Sequence, residues 1–135
     1  MTPSVLFVCV KNAGKSQMAA ALMKHIAGDS VEVHSAGTEP GTVVNELSAR
    51  VLAEVGLDIT DQIPKAVDPH ILETVDLVVT LGRQAVVDQP GTRIVNWDTD
   101  EPSRRGIDGV ERMRLVRDDI AARTRQLAAE LTQMG

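Results

Sequence analysis

The sequence predicts an α/β domain built around a four-stranded parallel sheet. Short apolar runs alternate with stretches of helical spacing, as expected when helices connect parallel strands. Apolar residues make up 43% of the 135 residues, which is enough for a single globular domain spanning residues 1–135. The chain has one phenylalanine, one tryptophan and no tyrosine, so its core must consist of aliphatic side chains and methionine.

The predicted elements follow from local patterns along the chain. Val5–Val8 is an unbroken apolar run, typical of a strand that is covered on both faces. Apolar side chains then recur at helical spacing from residue 16 to about residue 27, and Gly28 ends this helix. The remaining predictions are a strand at 31–35, a helix at 45–55, strands at 76–80 and 93–95, and a long helix from about residue 110.

The composition excludes several classes of function. A net charge of −5 argues against unspecific nucleic-acid binding, which requires a basic surface. No apolar stretch reaches the roughly 18 residues of a membrane span, and no signal-peptide pattern is present at the N-terminus. The single cysteine cannot form an internal disulfide, and the three histidines show no metal-ligand spacing. We therefore expect a cytoplasmic protein without a metal site that binds neither nucleic acid nor membrane.

The segment from Cys9 to Ser16 follows the first predicted strand and carries the main functional signal. Residues 14–16 match the end of a nucleotide-binding P-loop, yet Cys9 stands where that motif needs its first glycine. A nucleotide-hydrolysing enzyme also needs a magnesium-binding acid after a buried strand, whereas Asp76 precedes its strand. The match to a P-loop is therefore only partial.

In a second interpretation, Cys9 is a nucleophile beside a loop that holds an oxyanion. Five residues separate Cys9 from Lys15, and a loop of this size can wrap its N–H groups around a tetrahedral anion. Lys15 and the dipole of the following helix favour the thiolate form of Cys9. Asn12 tolerates left-handed backbone angles, and Ser16 can cap the helix or donate a hydrogen bond to the thiolate. The predicted oxyanion site comprises Val10, Lys11, Asn12, Ala13, Gly14, Lys15 and Ser16.

Six segments carry further motifs in a consistent order. They are VCVKNAGKSQMAA at 8–20, SAGT at 35–38, GLDI at 56–59, VVTL at 78–81, WDTDEP at 97–102 and RDDI at 117–120. In this order they resemble the low-molecular-weight tyrosine phosphatases and the arsenate reductases that share their fold, whose signature is Cys-x5-Arg-Ser. The resemblance covers nearly the whole chain and implies a fold of the low-molecular-weight phosphatase type.

Two departures from the pattern of that family bear on the substrate. Lys15 replaces the arginine of the signature, so a compact point charge replaces a planar group that grips two oxygens. Phosphatases of this family use aromatic residues to hold phosphotyrosine, whereas this chain has no tyrosine. The expected ligand is therefore a small inorganic oxyanion such as arsenate, with phosphate and sulfate as analogues.

A third departure concerns cysteine. Thioredoxin-linked members of the family have two more cysteines after the third strand, where this chain has Gly82 and, near the second position, Gln89. The resemblance therefore points to the single-cysteine arsenate–mycothiol transferases, in which mycothiol forms an adduct with arsenate and a mycoredoxin releases arsenite. It implies no tightly bound cofactor, mycothiol or another small thiol as cosubstrate, and a mycoredoxin or glutaredoxin-like protein as partner.

The acidic segment before Pro102 is the predicted source of a proton. In the family the acid directly precedes the proline, which implies Glu101, with Asp100 as its competitor; a solvated turn is the plainer alternative. Two other functions stay open for the chain: a phosphatase acting on tyrosine phosphate or small esters, and a noncatalytic oxyanion-binding or redox-sensing module. The predicted catalytic residues are Cys9, Lys15, Ser16, Glu101 and Asp100.

Overall fold

Four parallel strands form one sheet in the computed structural model, which describes residues 2–134. The strands are β1 (Ser4–Cys9), β2 (Glu32–Gly37), β3 (Leu77–Leu81) and β4 (Ile94–Trp97). Their order in the sheet is β2-β1-β3-β4, and each described pairing is parallel. The predicted α/β fold with a four-stranded parallel sheet is therefore confirmed.

Helices connect the strands. They are α1 (Lys15–Ala27), α2 (Glu46–Ala53), α3 (Pro69–Thr74) and α4 (Gly109–Met134), with short 3-10 turns at Gly28–Ser30 and Pro102–Arg105. The Asn45 side chain accepts a hydrogen bond from the Ser48 N–H at 2.9 Å and so caps the start of α2. Among the described helices, none combines the length and apolar character that a bilayer span requires.

The element bounds lie within two residues of the sequence prediction, but α3 has no counterpart in it. This helix has only six residues, so it is too short to show an apolar period. Its start is nevertheless well defined, since the Asp68 carboxylate accepts the His70 N–H at 2.9 Å and Pro69 occupies the first turn.

The core lies on both faces of the sheet, and β1 shows why its apolar run is unbroken. Val5 and Phe7 pack on the face covered by α1, α2 and α4, whereas Leu6 and Val8 pack on the face covered by α3. All four side chains are buried, as expected for a central strand with helices on both sides. The ring of Phe7 lies 5.6 Å from that of Trp97, which anchors the end of β4.

The carboxyl ends of the parallel strands bring distant residues to one edge of the sheet. Cys9 is the last residue of β1, Gly82 follows β3, and Asp98 follows β4. In open parallel sheets this edge is where ligands bind. The acidic segment of residues 98–101 therefore comes to lie opposite the loop that follows Cys9.

Candidate active site

The loop between β1 and α1, residues 10–14, is held from outside through its carbonyl groups. These oxygens accept hydrogen bonds from backbone N–H groups of the segment after β2. The pairs are Thr38 to Cys9 (3.1 Å), Glu39 to Val10 (2.8 Å), Gly41 to Lys11 (2.9 Å) and Asn45 to Ala13 (2.7 Å). Because the N–H of a trans peptide points opposite to its C=O, the N–H groups of residues 10–12 and 14 face the inside of the loop. Converging N–H groups of this kind bind tetrahedral anions.

The thiol of Cys9 lies at the base of this loop and has two hydrogen-bond partners. Its Sγ is 2.9 Å from the Ser16 Oγ and accepts the backbone N–H of Asn12 at 3.2 Å. Cys9 is only 7% exposed, so little of the side chain meets solvent. A hydroxyl and an N–H thus face the sulfur from the loop, an arrangement suited to a thiolate nucleophile.

Ser16 does not cap α1. The helix begins at Lys15 with Gly14 as its N-cap and has no side-chain cap, so that part of the sequence interpretation is wrong. Ser16 is instead the second residue of the helix and is fully buried. Its hydroxyl lies between the Cys9 sulfur and the Asn12 Nδ2, which donates to it at 2.7 Å. The geometry matches the other alternative, in which Ser16 orients the thiol.

Asn12 fixes the shape of the loop. Its φ of 53° makes it the one non-glycine residue in the described part of the chain with a left-handed backbone, as its residue type predicts. The side chain is fully buried. Its Nδ2 donates to Ser16, and its Oδ1 accepts the Lys65 backbone N–H at 3.0 Å and the Gln17 Nε2 at 3.1 Å. These hydrogen bonds offset a backbone cost of roughly 1–2 kcal/mol.

Gly37, at the end of β2, lies close against the outside of the loop. A Cβ atom at this position would come within 2.7 Å of the Val10 carbonyl oxygen and 2.9 Å of the Asn12 nitrogen. Both contacts are with backbone atoms, which cannot rotate away. The position therefore requires glycine because of the close approach of β2 to the loop.

Replacing Gly37 by alanine is expected to lower the free energy of unfolding by about 1–3 kcal/mol and to weaken phosphate binding, because the loop must shift. Gly41→Ala is the matched control, since its Cβ would have its nearest contact at 3.8 Å, with the Lys11 carbonyl oxygen. Urea unfolding and phosphate titration of both variants measure the two effects. Equal free energies of unfolding and equal phosphate affinities in the two variants would show that the close approach of Gly37 does not determine the shape of the loop.

Lys15, the first residue of α1, faces the acidic segment across the loop. Its Nζ lies 3.8 Å from the Glu101 Oε2. The other oxygen of Glu101 accepts hydrogen bonds from the Arg112 Nε at 3.1 Å and the Ser103 hydroxyl at 2.9 Å. Glu101 therefore joins the start of α1 to the first turns of α4. Sequence reasoning did not single out Arg112, because nothing in the pattern of α4 distinguishes it from the other arginines there.

Both predicted proton donors are held as carboxylates. Burial raises the pKa of Glu101, but the hydrogen bonds from Arg112 and Ser103, with nearby positive charge, outweigh burial and leave its pKa below the ordinary value. Two hydrogen bonds from Arg105, at 2.7 and 3.0 Å, lower the pKa of Asp100. A general acid must carry its proton at the working pH. The ion pairs thus favour the carboxylate form of both residues, and Glu101 is the one in contact with Lys15.

A cleft of about 800 Å³ opens beside the loop. Its lining includes Cys9, Val10, Lys11, Gly14, Lys15, Asp100 and Glu101 from the predicted site, and Gly82, Arg83, Arg104 and Arg105 besides. Asn12 and Ser16 support the loop from behind without lining the cleft, and Ala13 faces a smaller cavity on the other side. The residues that the sequence predicts for the site thus lie in and around one cleft, although their roles stay predictions.

Two supporting residues were not part of the sequence prediction. Gln17 donates from Nε2 to both oxygens of Asn12, its backbone carbonyl at 3.2 Å and its Oδ1 at 3.1 Å. The one sequence signal for a role of Gln17 was its position directly after Ser16. Lys65 contributes a backbone N–H from 53 positions away, and no local pattern marks it. Among residues 2–134, no cluster of three or more candidate ligands could hold a metal ion.

Comparisons with known proteins agree with this geometry. The profile described as low molecular weight phosphotyrosine protein phosphatase matches residues 4–134. An arsenate reductase of Brevibacillus brevis is 37% identical over 129 residues, which cover 93% of this chain and 93% of that protein. The structure of a Corynebacterium glutamicum thioredoxin-dependent arsenate reductase superposes with a TM-score of 0.81 at 34% identity, covering 99% of this chain and 64% of that one.

A structure of an arsenate reductase in the phosphate binding state also superposes with a TM-score of 0.81, at 27% identity, covering 96% of this chain and 99% of that one. This chain thus spans less than two thirds of the Corynebacterium protein but nearly all of the second structure. The superpositions confirm the predicted phosphatase type of fold. With the profile matching almost every residue, the chain belongs to the low molecular weight phosphotyrosine protein phosphatase family.

Proposed function

We propose that this protein reduces arsenate with the help of an external small thiol. The observation that carries the proposal is the Cys9 thiol, which contacts Ser16 and Asn12 at the base of a loop of converging N–H groups. A tetrahedral oxyanion such as arsenate suits such a loop. The relatives named as arsenate reductases, one of them in a phosphate binding state, support the same substrate class.

In this proposal each residue of the site has a defined task. The loop N–H groups bind arsenate, and Lys15 neutralises its charge. Glu101, or Asp100 in its place, takes the proton released by the incoming thiol and gives it to the oxygen that leaves arsenic. Cys9 either attacks arsenic itself, to be displaced from it by the external thiol, or holds the reactants as a buried thiolate; in both cases Ser16 orients its sulfur. Under both alternatives Cys9 is required.

The electrons must come from thiols outside the chain. A first thiol replaces one oxygen of arsenate, so that an arsenic–sulfur bond forms, water is released and arsenic stays pentavalent. A second thiol then attacks the sulfur of this adduct and forms a disulfide. The electron pair of the broken arsenic–sulfur bond remains on arsenic, which leaves as arsenite. We propose mycothiol as the first thiol and a mycoredoxin or glutaredoxin-like protein as the source of the second.

The cleft supports the entry of such a thiol. Its volume of about 800 Å³ exceeds what an oxyanion alone requires, and Cys9 lies in its wall. Lys11 and Arg104 line the cleft with exposed, positively charged side chains. Neither forms an ion pair with a described residue. These side chains offer donors for the many hydroxyl and carbonyl oxygens of a sugar-containing thiol such as mycothiol.

The competing function is phosphate-ester hydrolysis, the activity for which the family is named. Two observations disfavour it. The described lining of the cleft contains no aromatic side chain that could stack on a tyrosine ring. Lys15 presents a point charge where a planar guanidinium would bind two oxygens of a phosphoryl group at once.

We therefore expect the purified protein to produce arsenite with mycothiol and mycoredoxin but to cleave an aryl phosphate poorly. Lys15→Arg should raise aryl-phosphate turnover by roughly tenfold, because a second charged hydrogen bond to the phosphoryl group becomes available. Both rates are measured on the same preparations. Arg125→Lys is the control, since it exchanges the same two cations, in the opposite direction, at an exposed position on α4 outside the cleft.

Two outcomes would contradict the proposal. One is a wild-type protein that cleaves aryl phosphates rapidly while producing no arsenite with any small thiol offered. The other is arsenate binding without turnover under all thiol conditions, which would favour the noncatalytic oxyanion-binding module. Glutathione with glutaredoxin, offered in a separate reaction, tests the identity of the thiol without affecting the first two results.

A further inference from the structure

A second cavity, of about 540 Å³, lies apart from the catalytic cleft, between α1, β2 and the segment of residues 57–65. We call it the lysine cavity, after Lys24 and Lys65 in its lining. Its lining includes Gln17, Lys24, Ser35, Asp58 and Lys65. No residue lining it also lines the catalytic cleft. A ligand here would therefore not compete directly with arsenate.

The lysine cavity presents mainly hydrogen-bond donors. Neither Lys24 nor Lys65 forms an ion pair with any described residue. Ser35 is 6% exposed; its oxygen accepts the Lys65 Nζ at 3.3 Å, and no described acceptor takes its hydroxyl proton. Two ammonium groups and a buried hydroxyl thus face one space, which calls for a ligand rich in acceptors.

The carboxylates beside the lysine cavity are few and already have partners. Asp58 is its one lining carboxylate, and it already accepts the Thr60 N–H at 2.8 Å and the Thr60 hydroxyl at 2.6 Å. His25 and His34 also line the cavity, and the His34 Nε2 lies 3.1 Å from the carboxylate of Glu32. The described lining thus carries two lysines against one carboxylate, on a chain with a net charge of −5.

The surroundings of Lys65 disfavour its positive charge. Although much of the residue is exposed, partial burial of its ammonium lowers its pKa, and the charge of Lys24 lowers it further. The cationic form of Lys65 is thus slightly disfavoured where it stands. A negative charge placed between the two lysines would offset the repulsion between them.

The lysine cavity also touches the residues that shape the catalytic loop. The backbone N–H of Lys65 donates to the Asn12 Oδ1 at 3.0 Å, and its carbonyl accepts the Gly37 N–H at 2.8 Å. Gln17, 2% exposed, lines the cavity and donates to Asn12. A ligand that orders Lys65 would therefore act directly on the support of the loop.

We propose that the lysine cavity is a binding site for a small anion carrying phosphate or carboxylate groups, held between Lys24, Lys65 and the Ser35 hydroxyl. Its binding orders the segment around Lys65 and, through Asn12, the catalytic loop.

The test is a titration followed by two-dimensional amide NMR, with inorganic pyrophosphate as one probe and citrate as the other. In the wild type, signals of residues lining the lysine cavity should move together with the Asn12 side-chain amide. Lys24→Gln should weaken this binding at least about fivefold, since one nearby charge is lost. Arg125→Gln, which removes one positive charge from an exposed site on α4, should leave it unchanged.

The two probes also identify the ligand chemistry. A response to pyrophosphate alone assigns the cavity to phosphates, and a response to citrate alone assigns it to carboxylates. The proposal is overturned if both probes shift only signals of residues 10–16, because the anions then occupy the catalytic loop alone. It is equally overturned if Lys24→Gln and Arg125→Gln weaken binding alike, because the effect is then one of overall charge.

Discussion

Replacing Cys9 with serine is expected to reduce arsenite production by at least about 10³-fold, a loss typical of removing a catalytic nucleophile. A serine hydroxyl is not ionised at neutral pH and is a poor nucleophile without a general base. The loss follows whether Cys9 attacks arsenic or positions the reactants as a thiolate. The measurement is steady-state arsenite formation at saturating arsenate, mycothiol and mycoredoxin.

The same variant should keep its fold and its loop. Serine is close in size to cysteine, and the Asn12 N–H and Ser16 hydroxyl that contact the sulfur can contact the new oxygen. We therefore expect phosphate to bind Cys9→Ser within a few-fold of the wild type, with a free energy of unfolding within about 1 kcal/mol. Cys9→Ala serves as a second variant that removes the hydroxyl too. Turnover above about one tenth of the wild-type rate in both would contradict a catalytic role for Cys9.

Much of the fold could be predicted because its signals are local. The unbroken apolar run of β1 and the helical spacing after it each reflect burial of one short segment, and the structure places both within two residues of the prediction. The short helix α3 was not predicted because six residues are too few to show an apolar helical period. Its start was still marked by Asp68 followed by Pro69, a pair that favours the first turn of a helix.

The same difference between local and distant signals applies to the candidate site. Cys9, Lys15 and the residues between them are contiguous in sequence, so their spacing predicts a loop around an anion. The contacts that hold the loop are not contiguous: the Lys65 N–H reaches Asn12 across 53 positions, and Gly37 comes close because β2 runs beside β1. Such contacts depend on how the strands are ordered in the sheet, which no short segment specifies.

The acidic segment shows a different limit of prediction from sequence. Its residues could be placed at the carboxyl edge of the sheet from sequence, but their partners could not. Arg105 and Arg112 bind Asp100 and Glu101, and their hydrogen bonds keep the pKa of each carboxyl low. A motif predicts which side chain reaches a site, whereas its protonation depends on neighbours contributed by other elements.

Arsenite production should also stop almost completely when thioredoxin, thioredoxin reductase and NADPH are supplied without any small thiol. Reduction of arsenate takes two electrons, and a chain with one cysteine cannot store both as an internal disulfide. Thioredoxin normally reduces a disulfide, which this chain cannot form within itself. Adding mycothiol and mycoredoxin should restore turnover, and the rate should saturate with the mycothiol concentration.

Rapid multiple turnovers with the thioredoxin system alone would refute the need for a small thiol and would require an intermolecular disulfide, such as one between two copies of the chain. The structure makes that route unfavourable. Cys9 is 7% exposed at the base of its loop, so two Cys9 sulfurs could meet at bonding distance only if the loops of both copies opened. Opening would break the four backbone hydrogen bonds that hold the loop carbonyls and the Asn12 contacts behind them. A small thiol enters the cleft without disturbing any of these bonds, which is why we expect it to be the reductant.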